Sequence, residues 1–397
     1  MAEERQKLAK KYEKIHLILD VGETVVSLFL LLGFIFLGYS LRLRETVAAW
    51  SSHPYLQLLI YIAVWGMAFS VLLFPFSFIS GYWVEHKFNL SNQSLRAWLW
   101  EKLKMLAVGI LLFIPIVLIF YYLLRTTPHT WWLWTALVLF FFSILIGRIA
   151  PQLIFPLFYK FEPLENDSLL QRMRRLAGIG KFRLQGVYRF NMSKTTKKAN
   201  AAFTGLGKSK RIILGDTLLE KFSNDEIEVV FAHEVGHYVH KHILQGILIG
   251  TLTTFITLYL AYKAYAGSLG YFSLQGMADL AGLPVLSLIL AFLGFISSPL
   301  SNILSRSRER IADRFALEHS THPAAFISAM QKLAALNLSD KEPNALIEFL
   351  FHSHPALSKR IAMAEKYLKE KNIPIPDRIA NGTEAEAATS DQGEITE

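Results

Sequence analysis

The amino-acid sequence predicts an all-α protein that crosses a membrane about six times and carries a small α+β insertion on one side. The chain has 397 residues, of which 52% are apolar and only 18% are charged, and its mean hydropathy is +0.32. The apolar residues form long uninterrupted blocks, and two longer polar segments separate or follow them. This composition excludes a disordered or collagenous protein, and so many long apolar blocks would be exceptional in one soluble fold.

Six stretches of about 18 or more residues lack Asp, Glu, Lys and Arg, which is the length needed to cross a hydrocarbon layer of ~30 Å. They are residues 24–41, 55–84, 105–124, 126–147, 243–262 and 280–305. The first stretch is longer than a signal-peptide core and has no small-residue cleavage site after it, so we expect it to remain as a membrane span.

Charge placement predicts that the N-terminus lies in the cytoplasm. The formal net charge is +9, and in a chain this apolar such an excess is typical of membrane-flanking loops rather than of a nucleic-acid partner. With the N-terminus inside, the outer loops carry few basic residues, namely Arg42, Arg44, Arg125 and Lys263. Most other Lys and Arg residues then lie on the cytoplasmic side.

The spans and the polar segments divide the chain into five regions. These are an N-terminal region with four transmembrane helices (1–158), a cytoplasmic α+β segment (159–242), a transmembrane hairpin (243–305), a helical region (306–379) and an acidic tail that we expect to be disordered (380–397). Within the α+β segment the patterns predict a helix at 166–176, two β-rich runs around a turn at 205–210, and a helix from residue 224.

The most specific motif is H-E-x-x-H, formed by His233, Glu234 and His237 in an apolar helix. The i, i+4 spacing places both imidazoles on one helix face, where they can bind one Zn²⁺, and it places Glu234 beside them as general base for a zinc-bound water. A lone histidine is more often a core residue, and the pairing with Glu234 is what favours a metal site. The chain has no cysteine, which excludes thiolate ligands, a cysteine nucleophile and disulfides.

A catalytic zinc needs a third protein ligand. The extended motif H-E-x-x-H-x-x-G-x-x-H would require Gly at position 240 and His at 243, where the sequence has His240 and Ile243. The chain returns to the same membrane face after the last span, and the first carboxylate there is Glu309, with Asp313 one helical turn further on. We therefore predict Glu309 as the third ligand and Asp313 as the acceptor for an imidazole N–H. The alternative is that Glu309 is one acid on a solvated, arginine-rich helix.

An ordered set of segments resembles a known family. HEVGH, SRSRERIAD and HSHPALSKRI, preceded by IAPQLIFPLFYKFEPL and ANAAFTGLGKSKRIILGDTLL, resemble the type I CAAX prenyl proteases, which are integral-membrane zinc endopeptidases. The resemblance covers roughly residues 81–368 and implies that His233, His237 and Glu309 ligate one zinc per chain, with Glu234 as general base and proton carrier. Eukaryotic members have seven spans, and the short segment before HEVGH is similar to bacterial relatives. The resemblance thus implies a bacterial cytoplasmic membrane, with the active site and the N-terminus facing the cytoplasm.

The resemblance also implies roles for residues outside the motif. Asp313 would orient a ligand histidine, His354 would stabilise the tetrahedral intermediate, and Arg360 would have a supporting catalytic role. Asn200 and Ala201 would begin the strand that holds an extended substrate peptide by β-augmentation. The alternatives are that His354 only starts a helix before a proline and that the segment around Ala201 is an ordinary hairpin. His240, His242 and His352 have no matching role, and we interpret them as surface or structural residues.

The predicted function is hydrolysis of peptide bonds in a peptide or protein substrate at the lipid bilayer, with a C-terminally lipidated CAAX-type peptide as one substrate class. A heat-shock-type quality-control protease of membrane proteins is the first alternative, although the extra N-terminal spans argue against that branch. A transporter with a structural metal would place ionisable residues in several spans, and these spans are almost free of them. A non-enzymatic scaffold would be expected to have lost Glu234 or a ligand. The sequence leaves the physiological substrate and the oligomeric state open.

Overall fold

The computed structural model of the protein describes residues 2–182, 184, 186–204 and 211–375. Its helices are α1 (Ala2–Phe36), α2 (Tyr39–Trp50), α3 (Pro54–Phe78), α4 (Glu85–Lys87), α5 (Leu95–Thr126), α6 (Trp131–Ile149), α7 (Asp167–Ile179), α8 (Asp216–Lys221), α9 (Asn224–Val239), α10 (His242–Ser268), α11 (Leu283–His319), α12 (Ala325–Asn337), α13 (Ala345–Phe351) and α14 (Leu357–Glu370). Two π-helical segments, Ile79–Val84 and Ala150–Ile154, continue α3 and α6. The predicted turn at 205–210 and the tail at 380–397 lie outside the described residues.

Six helical segments of the described chain have the length and composition of membrane spans, which confirms the predicted fold class. They are Glu3–Phe36, Pro54–Lys87, Leu95–Thr126, Trp131–Leu157, His242–Ser268 and Leu280–His319. Each is longer than the apolar stretch that predicted it, because the helix continues into charged residues at one end. In the apolar window of Leu95–Thr126 none of the residues is buried. Apolar surface of this extent requires a lipid environment.

One boundary differs from the sequence-based expectation. The sequence predicts a helix from residue 224 and a transmembrane hairpin from residue 243 without a break between them, but α9 ends at Val239 and α10 begins at His242. Between the two helices Lys241 adopts the left-handed conformation, with φ of 57°. A left-handed residue at the end of a helix breaks the helical hydrogen bonding and redirects the chain. The break allows His242 to return toward α9.

The α+β segment forms a four-stranded sheet of β1 (Phe161–Pro163), β2 (Val187–Phe190), β3 (Ala201–Thr204) and β4 (Arg211–Gly215). The strand order is β1-β2-β4-β3, with β2 parallel to β4 and the other two pairs antiparallel. Strand β3 therefore lies at an edge of the sheet. Strand β1 was not predicted, because three residues are too few to carry an alternating pattern.

The main core contains side chains of the sheet and of α7, α9, α11, α12 and α14, and α9 packs against α7, α11 and α12. Its fully buried side chains include Leu176, Phe231, Phe326 and Leu368. The charged N-terminal extension of α1 joins the same body, since Arg5 Nε donates a hydrogen bond to the carbonyl of Ala335 at 3.0 Å. The N-terminus thus lies on the same side of the membrane as the H-E-x-x-H helix.

Candidate metal centre

Helix α9 places the two motif histidines side by side. The helix begins with a capping box in which Ser223 and Glu226 satisfy each other's backbone N–H groups, so its first turn is well defined. One turn apart on the helix, His233 and His237 have their Nε2 atoms 3.1 Å from each other. Val235, on the opposite face, is fully buried in the core, which fixes the rotation of the helix and turns both imidazoles toward α11.

Glu309 on α11 completes a three-residue cluster. Its Oε1 lies 3.2 Å from His237 Nε2 and its Oε2 lies 3.4 Å from His233 Nε2. The carboxylate is buried, with 5% of the residue exposed. Ligands placed about 2.0–2.1 Å from zinc on tetrahedral corners lie about 3.3–3.4 Å from one another. The separations of 3.1–3.4 Å fit that geometry, and the two-histidine, one-carboxylate set leaves a fourth position open.

Asp313 and Arg360 hold the His233 ring in position. His233 Nδ1 lies 2.8 Å from Asp313 Oδ1, and Asp313 accepts two hydrogen bonds from Arg360, at 2.8 and 2.5 Å. Asp313 is fully buried. With its proton on Nδ1, facing this carboxylate, the neutral ring would direct its Nε2 lone pair at the cluster, as a metal ligand requires.

The electrostatic environment of His233 favours a positive charge. Burial by itself lowers the pKa of His233, but hydrogen bonding to Asp313 and Glu309 outweighs burial and raises the pKa to about 9. Two carboxylates thus converge on one imidazole in a low-dielectric site. A divalent cation would compensate their charge, so the donor set fits zinc chemically as well as geometrically.

His242 supports the second histidine, and sequence reasoning missed this relationship. Its Nδ1 lies 2.9 Å from His237 Nδ1, and the residue is buried with 5% exposed. Metal-ligating histidines usually engage a partner through the other ring nitrogen. The sequence does show a further histidine, five residues after His237. In a continuous helix, however, His242 would lie on a different face from His237, so the contact could not be predicted.

The loop that carries His354 is fixed beside the cluster. His354 Nδ1 lies 2.8 Å from Glu309 Oε2, while 63% of its side chain is exposed. Arg306, which is buried, donates from Nη1 to the carbonyls of Glu348 and His352 at 2.8 and 2.6 Å. Arg306 looked like one of several solvated arginines in the sequence, and its burial appears only in the folded chain.

A cavity of about 520 Å³ opens over the cluster. Among its lining residues are seven of the nine predicted site residues, namely Asn200, Ala201, His233, Glu234, Glu309, His354 and Arg360. The remaining two, His237 and Asp313, contact this group directly. Within the described part of the chain, no hydrogen bond or ion pair engages the half-buried Glu234 carboxylate, so it can exchange a proton with a molecule in the cavity.

An H-E-x-x-H helix, a carboxylate from a second helix and membrane spans that lead into both define a membrane metalloendopeptidase. Two family models match the sequence, Peptidase family M48 over residues 163–368 and the CAAX prenyl protease N-terminal region, described with five membrane helices, over residues 1–160. The chain belongs to the CAAX prenyl protease group of peptidase family M48, as the resemblance implied. Residues 1–160 have four helices of span length, and α2 is a shorter helix between the first two.

Curated relatives and a solved structure cover most of the chain. The uncharacterized metalloprotease YhfN of Bacillus subtilis is 32% identical over 371 residues, covering 92% of this chain and 86% of the relative. CAAX prenyl protease 1 of Saccharomyces cerevisiae is 30% identical over 335 residues, covering 79% and 73%. The crystal structure of S. mikatae Ste24p superposes with a TM-score of 0.78 at 25% identity, covering 92% of this chain and 88% of that one.

Proposed function

We propose that this membrane metalloendopeptidase is zinc-dependent and binds one Zn²⁺ per chain through His233, His237 and Glu309. The observation that supports this most strongly is that the two Nε2 atoms lie 3.1 Å apart and that each has a Glu309 carboxylate oxygen 3.2–3.4 Å away, which suits a tetrahedral zinc with one open position. Bound zinc supplies a Lewis acid that polarises a scissile carbonyl and lowers the pKa of water toward ~7.

The residues around the ligands then carry the proton transfers and the charge stabilisation. Glu234 takes a proton from the attacking water and delivers it to the leaving amine, a general acid–base role that needs an uncommitted carboxylate. His354 donates a hydrogen bond to the oxyanion that develops on the scissile carbonyl, and one such donor is worth about 3 kcal/mol. Asp313 and Arg360 hold the His233 ring in place, so Arg360 acts on the reaction through Asp313 and His233.

The substrate peptide binds in an extended form along the free edge of β3. Strand β3 pairs with β4 on one side only, and Asn200 and Ala201 at its start line the cavity above the metal ligands. An added strand at this edge would run its peptide bonds past Glu234. Since backbone groups provide the pairing, the strand tolerates different substrate side chains.

The substrate class that we propose is a C-terminally lipidated peptide of the CAAX type, cleaved at the cytoplasmic face of a bacterial membrane. Relatives from yeasts, plants and animals carry the name CAAX prenyl protease 1. Glu309 lies on the helix of the last candidate span, and two residues separate α9, which carries His233 and His237, from the span that begins at His242. This placement suits a substrate held at the bilayer. The basic N-terminal segment is on the same side as the metal ligands, and basic flanks favour the cytoplasmic side.

Two measurements on detergent-purified protein test this proposal. Zinc content per chain should be close to one, and a quenched farnesylated CAAX peptide should be cleaved in a reaction that 1,10-phenanthroline stops. The same peptide without the farnesyl group is the specificity control. Equal cleavage of both peptides would contradict the lipidated substrate class and favour the quality-control alternative, whereas protein without zinc would contradict the metal site itself.

A further inference from the structure

A second cavity, of about 620 Å³, lies beside the cytoplasmic end of α1 and shares no lining residue with the cavity at the metal centre. Its rim carries five basic residues and one acidic residue, Glu4; the basic residues are Arg5, Lys11, Lys87, Lys197 and Lys221. Its floor is apolar and includes Phe88, Leu90 and Leu338. We refer to it as the basic cavity.

The positive charges of the basic cavity are not neutralised by the protein. Within the described residues, none of the five basic side chains has a carboxylate oxygen within 4.0 Å. Arg5 and Lys197 instead donate to neutral oxygens, the carbonyl of Ala335 and the side chain of Asn89. The neighbouring Lys198, by contrast, lies 3.0 Å from a carboxylate oxygen of Glu85. A concave cluster of like charges concentrates positive potential and attracts an anion.

The basic cavity borders the end of a candidate membrane span. Lys87 is the last residue of the second candidate span, and its Nζ lies over the Trp83 ring at 4.4 Å. Trp83 is 48% exposed, and exposed tryptophans at the end of a span lie at the membrane–water interface. Lys11 comes from the part of α1 that extends beyond its apolar stretch. The cavity is therefore accessible from the cytoplasmic leaflet.

The combination of a basic rim and an apolar floor selects among anions. Inorganic phosphate would satisfy the lysines but leave the apolar floor in contact with water. A phospholipid offers a phosphate for the rim and glycerol and acyl carbons for Phe88 and Leu90. Basic pockets on the cytoplasmic side of membrane helices commonly recognise such headgroups.

We propose that the basic cavity binds the phosphate headgroup of an anionic phospholipid from the cytoplasmic leaflet. The site is separate from the metal centre, so this inference does not depend on the proposed zinc chemistry. Arg5 and Lys11 supply charge from α1, and Lys87, Lys197 and Lys221 supply charge from three further segments of the chain.

Native mass spectrometry of the full chain in detergent, titrated with dioleoyl phosphatidylglycerol, tests the proposal. Saturable retention of one lipid is expected, with weaker retention of the zwitterionic dioleoyl phosphatidylcholine. The double variant Lys11→Glu/Lys221→Glu should lose about tenfold or more in affinity, because each charge near the headgroup contributes. The matched control is Lys369→Glu/Lys371→Glu, which reverses two exposed lysines outside the basic cavity and should bind as the wild type does.

Gel filtration and circular dichroism establish that both double variants are folded, and Lys11→Gln/Lys221→Gln provides a milder change at the same positions. Equal phosphatidylglycerol binding by the wild type and the cavity variants would overturn the proposal. Equal loss in the control variant would also overturn it, since the effect would then come from overall charge. Competition by millimolar inorganic phosphate at constant ionic strength would assign the cavity to a soluble phosphate and overturn the lipid as ligand.

Discussion

Gly236 of α9 lies directly against the backbone of Ala312 in α11. A Cβ atom on Gly236 would come within 3.0 Å of Ala312 Cα and within 3.1 Å of its carbonyl oxygen. The glycine is the second x of the H-E-x-x-H motif, and it permits the close helix contact that brings Glu309 to the two histidines. Gly236 is thus as important to the geometry of the motif as the two candidate ligands, His233 and His237.

The substitution Gly236→Ala should therefore separate α9 from α11. We expect a destabilisation of about 1–3 kcal/mol, typical of overpacking against backbone that cannot yield, together with weaker zinc binding. Thermal unfolding and a zinc titration measure the two effects. Gly250→Ala in α10 is the control, because among the described residues no atom outside the backbone of its own helix lies within 4 Å of the added Cβ and alanine favours a helix. Unchanged zinc affinity in Gly236→Ala would show that the close contact is not needed for the ligand geometry.

Glu234→Gln should abolish turnover while zinc remains bound. The amide keeps the size of the side chain but cannot accept the proton from the attacking water. The measurements are zinc content and cleavage of the farnesylated peptide, with His233→Ala as the comparison that should lose both. Loss of zinc from Glu234→Gln would mean that Glu234 is a ligand and that the general base lies elsewhere.

Arg360→Lys should weaken zinc binding by about 10- to 100-fold, the usual cost of removing a partner of a ligand. Lysine cannot reproduce the two-pronged contact that Arg360 makes with Asp313, so the Asp313 carboxylate and the His233 ring lose their fixed orientation. A zinc competition assay checks the affinity, and Arg314→Lys, on the exposed side of α11, is the matched control. A raised KM with unchanged zinc affinity would instead indicate that Arg360 contacts substrate.

Ala201→Pro should raise KM at least about tenfold with little change in Tm. Gly215 donates to the carbonyl of Asn200 at 2.9 Å, and the alternation of an antiparallel pair then directs the N–H of Ala201 to the free edge. Proline removes that outward donor but no bond to β4, which edge strands tolerate. The KM for the farnesylated peptide measures the effect. Ala201→Val is the control, because valine keeps the backbone N–H. Wild-type KM in Ala201→Pro would argue against pairing of the substrate at this edge.

Glu228 makes the stability of the main core, which contains the sheet and α9, depend on pH. Burial alone raises the pKa of its carboxyl, but hydrogen bonds from Thr321, Arg172 and Arg175 outweigh burial and lower the pKa below the ordinary 4.5. A lowered pKa in the folded state means that the stabilisation is complete above about pH 4.5 and is lost as the pH falls through the folded-state pKa.

Glu228→Gln should consequently lower the Tm most at pH 7, by about 5–10 °C if a buried ion pair of about 3 kcal/mol is broken. The difference from the wild type should shrink below about pH 4.5, where the wild-type carboxyl also becomes protonated. Thermal unfolding across this pH range makes the comparison, with the exposed Glu318→Gln as control. A Tm difference that stays constant with pH would exclude the ionised carboxylate as its source.

The membrane fold was predictable because its signal is local. A span needs about twenty apolar residues in a row, and a helix fixes where His233, Glu234 and His237 point without reference to the rest of the chain. The sequence segments around the motif, which occur in the same order as in the CAAX prenyl proteases, were sufficient to recognise that family. Glu309 could also be predicted as the third ligand, because the transmembrane hairpin of α10 and α11 must return the chain to the side of the membrane from which it started.

The sequence by itself thus determined the spans, the motif helix and the identity of the candidate ligands. Only the tertiary structure decided which side chains support them, because such contacts depend on how separate helices pack. The left-handed Lys241 brings His242 to His237, the buried Arg306 fixes the loop of His354, and the basic cavity forms where α1 meets four other segments. Residues far apart in sequence carry no periodic pattern that announces their contact, so their roles appear only once the helices are packed.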